Sequence, residues 1–265
     1  MAIRRRFGQH FLTSPAILGR IADALEIHPG DRVIEIGPGK GALTEILLAR
    51  GARLAVIEID RDLCALIRSR FGTVDVHEAD ALSVDWPAVA GSENYLVVGN
   101  IPYNITSPLL EKAFAQSPLP KRVVFTVQKE VADRVTAQPG TKAYGALTVG
   151  IAAQAEATRL FTVPPGAFHP PPQVHSAVLL LVPREEPLIG SNEVMAFRRF
   201  IAGLFGFRRK QIRRALRGVT GHSPEQVVAV LDQLGLDPTG RAEVLSPPVL
   251  VGLFRRVVDA GVREG

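Results

Sequence analysis

The run Arg32-Val-Ile-Glu-Ile-Gly-Pro-Gly-Lys-Gly41 decides how this chain folds. Arg32–Ile36 is a short, largely β-branched stretch of the kind that forms a buried strand. Three glycines, spaced G-x-G-x-G, follow at once. Glycine there lets backbone approach a ligand with no Cβ in the way. The spacing departs from the G-x-G-x-x-G of dinucleotide-binding turns, and by itself it also suits a tight structural turn. No Walker lysine motif is present, which argues against ATP hydrolysis.

Outward from this run the pattern alternates. Upstream, Ser14-Pro15 has the form of a helix start, and Ile17, Leu18, Ile21, Ala22 and Leu25 follow at helical spacing. Downstream, residues 42–50 read as a helix that stops at Gly51. Strands are expected at 54–59, 74–77, 95–99, 122–127, 157–163 and 176–182. Helices are expected at 61–70, after Ser107-Pro108, at 129–136 and at 144–154. Residues 164–172 are too rich in proline for a helix or a central strand. Strands alternating with helices over short links imply an α/β fold with an open, mainly parallel, Rossmann-like sheet. After Pro183 the pattern becomes helical, with segments at 193–205, 208–216, 224–234 (capped by Ser223) and 247–260 (capped by Ser246). The expected organisation is an α/β domain over 1–186 and a small all-helical domain over 187–265.

Composition limits the function classes. Hydrophobic residues make up 46% of the 265, enough for a core, and no low-complexity tract or repeat appears. The formal net charge is +5, carried mostly by Arg, which favours a polyanionic partner. Cys64 is the only cysteine, so no internal disulfide and no cysteine metal site can form, as suits a reducing cytosol. No metal site is expected. The basic Arg4-Arg5-Arg6 start lacks the apolar run of a signal peptide, and no stretch approaches the ~18 apolar residues of a membrane span.

Candidate binding residues lie at the ends of the expected strands, where open α/β sheets hold their ligands. Gly37 and Gly39 follow the first strand of the alternation. Glu58 ends the next, where an acid accepts from ribose hydroxyls; an NAD enzyme would use it in the same way. Asp80 follows the third and can accept from an adenine amino group or cap a helix. Residues 95–99 deliver Asn100-Ile101-Pro102-Tyr103. That run offers an amide acceptor for an amino group, a proline-stiffened backbone and a phenol that can stack on a flat ring. Phe168 could close the ring's other face or simply anchor its loop. The combination points to methyl transfer from S-adenosylmethionine to an exocyclic amino group of a base.

The chain resembles the KsgA/Erm family of rRNA adenine dimethyltransferases over nearly its whole length. The resemblance is carried by Phe7-Gly8-Gln9-His10-Phe11-Leu12, the 35–44 glycine segment, Val56-Ile57-Glu58-Ile59-Asp60, Asp80-Ala81-Leu82 and Asn100-Ile101-Pro102-Tyr103-Asn104. It continues through Gln128-Lys129-Glu130-Val131-Ala132, Tyr144-Gly145-Ala146-Leu147, Phe168-His169-Pro170-Pro171-Pro172-Gln173-Val174-His175-Ser176 and Arg208-Arg209-Lys210. It implies that His10, Leu12 and Gly37 meet the methionyl end of S-adenosylmethionine. Glu58 would take the ribose and Asp80 the cofactor adenine, with Asn100 beside both cofactor and target base. The family usually has Gln-Asn-Phe-Leu where this chain has Gln-His-Phe-Leu. His10 substitutes freely if the contact there is made by backbone, and alters cofactor affinity if it is made by the side chain.

Between Ala196 and Gly218 eight cations occur without an acid. Lys210, Arg213, Arg214 and Arg217 have the spacing of one helix face, and with Arg208 and Arg209 they form a candidate RNA-binding surface. A solvated helix face is the alternative. Arg4, Arg5 and Arg6 are a candidate extension. The resemblance favours the KsgA branch: a cytoplasmic, monomeric enzyme would dimethylate two adjacent adenines in the 3′-terminal hairpin of small-subunit (16S) rRNA, within a maturing pre-30S particle. The alternatives are an Erm-type enzyme acting on large-subunit rRNA and an assembly factor whose binding role dominates.

Overall fold

Among the residues described by the computed structural model, 10–262, seven strands form one sheet. The Arg4–Arg6 cluster and Phe7-Gly8-Gln9 lie outside the described residues. The chain enters through β1 (Phe11–Leu12) and α1 (Pro15–Ala24), then runs β2 (Arg32–Ile36), α2 (Ala42–Ala49), β3 (Arg53–Glu58), α3 (Arg61–Arg70), β4 (Asp75–Glu78), α4 (Trp86–Ala90) and β5 (Tyr95–Asn100). It continues through α5 (Thr106–Ala113), β6 (Arg122–Gln128), α6 (Lys129–Val135), α7 (Ala146–Ala152), β7 (Ala155–Val163), β8 (Phe168–His169) and β9 (Ser176–Pro183). The sheet order is β4-β3-β2-β5-β6-β9-β7. β4 to β6 are parallel and β9 runs antiparallel to β6.

A parallel sheet is buried on both faces, so its strands are apolar without alternation. β2 shows this: every residue after Arg32 is buried. On one face Val33, Leu54, Val56, Leu96 and Val98 pack with Leu18 and Ile21 of α1 and Leu47 of α2. Gly99 is required where β5 meets β2, because a Cβ there would lie 2.6 Å from the Ile36 carbonyl oxygen. α3 starts at Asp60, whose Oδ1 accepts from the N–H groups of Asp62 (2.9 Å) and Leu63 (3.4 Å). Nothing in the sequence pattern marks the two-residue strands β1 and β8. They pair antiparallel, Phe11 with His169 and Leu12 with Phe168, and form a separate ladder.

The described residues divide into two compact units. One holds residues up to Asp133 together with Glu156–Pro183. The other holds Arg134–Ala155 and the chain from Arg184 onward. Residues 134–155, placed by their sequence with the α/β domain, therefore cluster with the C-terminal helices α8 (Val194–Gly206), α9 (Ile212–Thr220), α10 (Pro224–Gln233) and α11 (Pro247–Val262). The reason is packing: Tyr144, Val149 and Ala153 share a core with Phe197, Ile201, Leu216 and Phe254. The buried Tyr144 hydroxyl donates to the Leu245 carbonyl at 2.7 Å.

α9 begins four residues later than its sequence implies. Arg208, Arg209 and Lys210 occupy the turn after α8, and Gln211 is extended at φ −59°, ψ 147°. Arg208 is held there by Glu243 (2.8 Å) and the Lys142 carbonyl (2.6 Å). Lys210 therefore does not share the helix face of Arg213, Arg214 and Arg217. No helix among the described residues is long and apolar enough to cross a membrane.

Candidate active site

A cavity of about 260 Å³ opens at the carboxyl ends of β2, β3 and β5. This is where the strand order reverses: the chain moves from β2 to β3 and β4 on one side, then returns to β5 and β6 on the other. Gly37, Gly39, Glu58, Asp80, Asn100, Pro102, Tyr103 and His10 all line it. Gly37 and Gly39 have φ of +65° and +56°, a region that L side chains rarely adopt. At Gly39 a Cβ would also meet the Phe11 ring at 2.8 Å. The turn is thus shaped by both conformation and contact.

Glu58 is 5% exposed, and its Oε1 accepts from the N–H groups of Ile59 and Asp60, both at 2.9 Å. Burial pushes its carboxyl above the usual carboxylate range, opposed by the N–H groups of Asp60, Ile59 and Gly39. Asp80 is exposed, and its Oδ1 accepts from Leu82 N at 2.8 Å. Beside it Ile59 is 53% exposed while lining the cavity, an apolar face free for a flat ring.

Asn100 is oriented by a bond to residue 10: Nδ2 donates to the His10 carbonyl at 2.7 Å. A carbonyl only accepts, so the amide nitrogen points to His10 and Oδ1 remains as an acceptor. The His10 Nδ1 bonds the Pro170 carbonyl at 2.8 Å. Tyr103 follows Pro102 in the 3₁₀ turn Tyr103–Ile105, with its hydroxyl 2.8 Å from Ser176 Oγ. Burial raises the phenol pKa and the Ser176 bond lowers it, with a net rise, so the ring stays neutral at physiological pH.

Two expected site residues lie elsewhere. Phe168 does not reach the cavity. It is 4% exposed in the core beneath the sheet, because pairing with β1 turns it inward. Leu12 is 5% exposed and lines a second, smaller cavity of about 90 Å³.

Sequence reasoning missed Glu35, which lines this second cavity with Phe11, Gly37, Gly39, Asn100 and Thr126. Glu35 is 2% exposed, and Thr44 Oγ1 donates to its Oε2 at 2.6 Å. Its carboxyl is pushed up to about 7 by burial, against the Thr44 bond and with the charge of Glu58 adding. The signal was a carboxylate inside the apolar run of β2. Among the described residues no group of three or more His, Cys, Asp or Glu is placed to hold a metal ion.

In the second unit Arg213, Arg214 and Arg217 are exposed on α9, whose other face buries Ile212, Ala215 and Leu216. Arg209 and Lys210 are exposed in the preceding turn. Arg208 is committed to Glu243.

Residues 1–246 match the family model described as ribosomal RNA adenine dimethylase. A ribosomal RNA small subunit methyltransferase A from Thermosynechococcus vestitus is 45% identical over 251 residues, covering 92% of each chain. One from Geobacter metallireducens is 40% identical, covering 97% of this chain and 96% of its own. Among solved structures, a dimethyladenosine transferase from Plasmodium falciparum superimposes with a TM-score of 0.84 at 27% identity, covering 95% of this chain and 98% of its own. The 23S rRNA methyltransferase ErmE gives 0.70 at 29% identity, covering 94% and 99%.

Proposed function

The chain belongs to the ribosomal RNA adenine dimethylase family, and on that premise we propose how its cavity carries out adenine-N6 dimethylation of small-subunit rRNA. The observation that carries the reading is the Asn100 amide, whose nitrogen is occupied by the His10 carbonyl and whose oxygen is left as an acceptor in the cavity wall.

S-adenosylmethionine suits the residues present. The Gly37–Gly39 turn lets a methionyl group approach backbone, and Glu58 stands where ribose hydroxyls need acceptors. Asp80 can accept from the cofactor adenine amino group, against the apolar face of Ile59. When bound, this cofactor supplies an electrophilic methyl group on a sulfonium.

The chain's own residues prepare the nucleophile. The N6 lone pair of adenine is delocalised into its ring. Asn100 Oδ1 accepts an N6 proton and favours a pyramidal nitrogen with its lone pair free. Pro102 stiffens the backbone that presents Tyr103, and Tyr103 stacks on the extruded base. No strong base is needed, because the proton can leave after transfer. Catalysis is then positioning and desolvation.

The helical unit binds RNA in this reading, through Arg209, Lys210, Arg213, Arg214 and Arg217. The substrate is the 3′-terminal hairpin of 16S rRNA in a pre-30S particle, and the enzyme works in the cytoplasm as a monomer. Support comes from the acid-free cation cluster and from relatives named for the small subunit. Mass spectrometry of both rRNAs from cells lacking the protein tests this. Dimethyladenosine should vanish from the small-subunit hairpin. Its persistence there, or its loss from the large subunit, would overturn the assignment.

A further inference from the structure

Asp80 is exposed, yet its carboxylate is given a direction by the turn around it. Oδ1 accepts from the N–H of Leu82 at 2.8 Å. That N–H belongs to the peptide unit joining Ala81 to Leu82. The carbonyl of the same unit accepts from the indole Nε1–H of Trp86 at 2.9 Å. A peptide unit is planar, so the direction of its C=O sets the direction of its N–H. The indole therefore fixes the donor to which Asp80 is bonded.

Trp86 is built as a fixed point. It is fully buried at the start of α4. Its backbone N–H donates to Gln116 Oε1 at 3.2 Å, and Gln116 Nε2 donates to the Lys112 carbonyl at 3.0 Å, near the end of α5. A buried indole needs one acceptor for its N–H. Here that acceptor stands in the cavity wall, because Ala81 lines the cavity beside Asp80. The turn is also held by Ala79 N on the Glu58 carbonyl and by Ser83 N on the Asp80 carbonyl, both at 2.9 Å. Neither of these bonds uses the Ala81–Leu82 peptide.

We propose that Trp86 is a positioning residue for the cofactor's adenine. Through the Ala81–Leu82 peptide it aims the Asp80 carboxylate, and so sets how well the chain tells a 6-amino purine from a 6-oxo one. The proposal rests on reading Asp80 as the acceptor for the cofactor's adenine amino group. A carboxylate accepts from an amino group and repels a carbonyl oxygen at the same place. The distinction weakens steeply when the acceptor is turned out of line. Holding it in line is the service of a rigid ring bonded to the neighbouring peptide.

The test measures by calorimetry how S-adenosylhomocysteine and S-inosylhomocysteine bind the natural chain, Asp80→Asn and Trp86→Phe. The natural chain should prefer the adenosyl ligand roughly 10- to 150-fold, the worth of a charge-assisted hydrogen bond, and Asp80→Asn should lose most of that preference. Trp86→Phe keeps a buried ring and removes the donor. It should reduce the preference at least about fivefold, the worth of an ordinary hydrogen bond. A tryptophan that merely fills the core would weaken both ligands alike. An unchanged ratio in Trp86→Phe therefore overturns the proposal. A second measurement needs no variant. Trp86 is the only tryptophan, so its indole N–H gives a single NMR resonance. Saturating S-adenosylhomocysteine should slow the exchange of that proton with solvent more than saturating S-inosylhomocysteine does. Equal protection by the two ligands overturns the proposal, and this result decides if Trp86→Phe fails to fold. No preference in the natural chain, or a full preference kept by Asp80→Asn, would instead remove the adenine reading of Asp80, and this proposal with it.

Discussion

The cavity at the strand ends and the arginine-rich α9 solve opposite problems with charge. Glu58 at this cavity and Glu35 at the smaller one beside it are buried acids, and each has an oxygen bonded to the protein. On α9 and the turn before it, Arg209, Lys210, Arg213, Arg214 and Arg217 stand in solvent. Buried, pre-bonded groups act over one hydrogen bond and depend on geometry. Exposed cations act over a Debye length and depend on salt. The first arrangement suits a small ligand that must be placed to a fraction of an ångström. The second suits a phosphate chain, for which register is loose and counterion release supplies affinity.

The contrast predicts a graded set of effects. The largest falls at Asn100. Asn100→Ala removes both the acceptor and the tether to His10, and should lower turnover by at least about 100-fold, comparable to losing a transition-state hydrogen-bond partner. Affinity for ribosomal particles should stay near that of the natural chain. Turnover within a fewfold of the natural chain would show that the cavity does not work by pre-set polar groups.

Next comes Glu58→Ala. A lost charge-assisted hydrogen bond costs about 1.5–3 kcal/mol, so S-adenosylmethionine should bind roughly 10- to 150-fold more weakly by calorimetry. Unchanged affinity in a folded variant would remove Glu58 from the cofactor site.

Glu35→Gln separates burial from binding. The folded carboxyl titrates near 7 and the unfolded one near 4.5, so the acid binds its proton more tightly when folded. Its stability contribution is complete below pH 4.5 and is lost as pH rises towards 7. Urea unfolding should show the natural chain losing on the order of 1–3 kcal/mol between about pH 5 and 8 relative to the Gln variant, which keeps an acceptor for Thr44. Parallel pH profiles would mean that Glu35 ionises as if in water.

The smallest effects per residue belong to α9. Replacing Arg213, Arg214 and Arg217 with Ala should flatten the log affinity–log salt slope for ribosomal particles, and leave cofactor affinity alone. The change should be roughly 0.7–0.9 for each phosphate that the three arginines neutralise. Arg208→Ala should behave differently. Arg208 is paired with Glu243 but remains partly in solvent, so its loss should cost about 1 kcal/mol of stability or less, with the salt slope kept. If Arg208→Ala changes the slope as much as Arg213→Ala, the distinction between an arginine paired with an acid and one without such a pair on this unit is wrong.

Much of the cavity was legible because its parts are short-range. Gly37, Gly39, Glu58, Asp80 and Asn100 each lie at or just beyond a strand end, and apolar runs mark strands. Glu35 was overlooked although it sits within such a run. Its depth shows only once α2 brings Thr44 over it. Lys210 was placed on a helix by spacing alone. Spacing could not register that Arg208 is anchored by Glu243, 35 residues away, which holds the turn open until Ile212.

The alternation of strands and helices, the glycine turn, the helix starts after Ser14 and Ser223, and the change to helices after Pro183 are all encoded locally. These are written in residues two to four apart, and local backbone geometry reads them directly. Long-range packing puts residues 134–155 with the C-terminal helices. It also decided that Phe11–Leu12 pair with Phe168–His169, that Phe168 turns into the core, and that His10 faces Tyr103. Two-residue strands carry no period, and an aromatic ring among prolines is equally suited to a core or a rim. Which it becomes depends on a partner far away in the chain, fixed by the closing of the β1–β8 ladder.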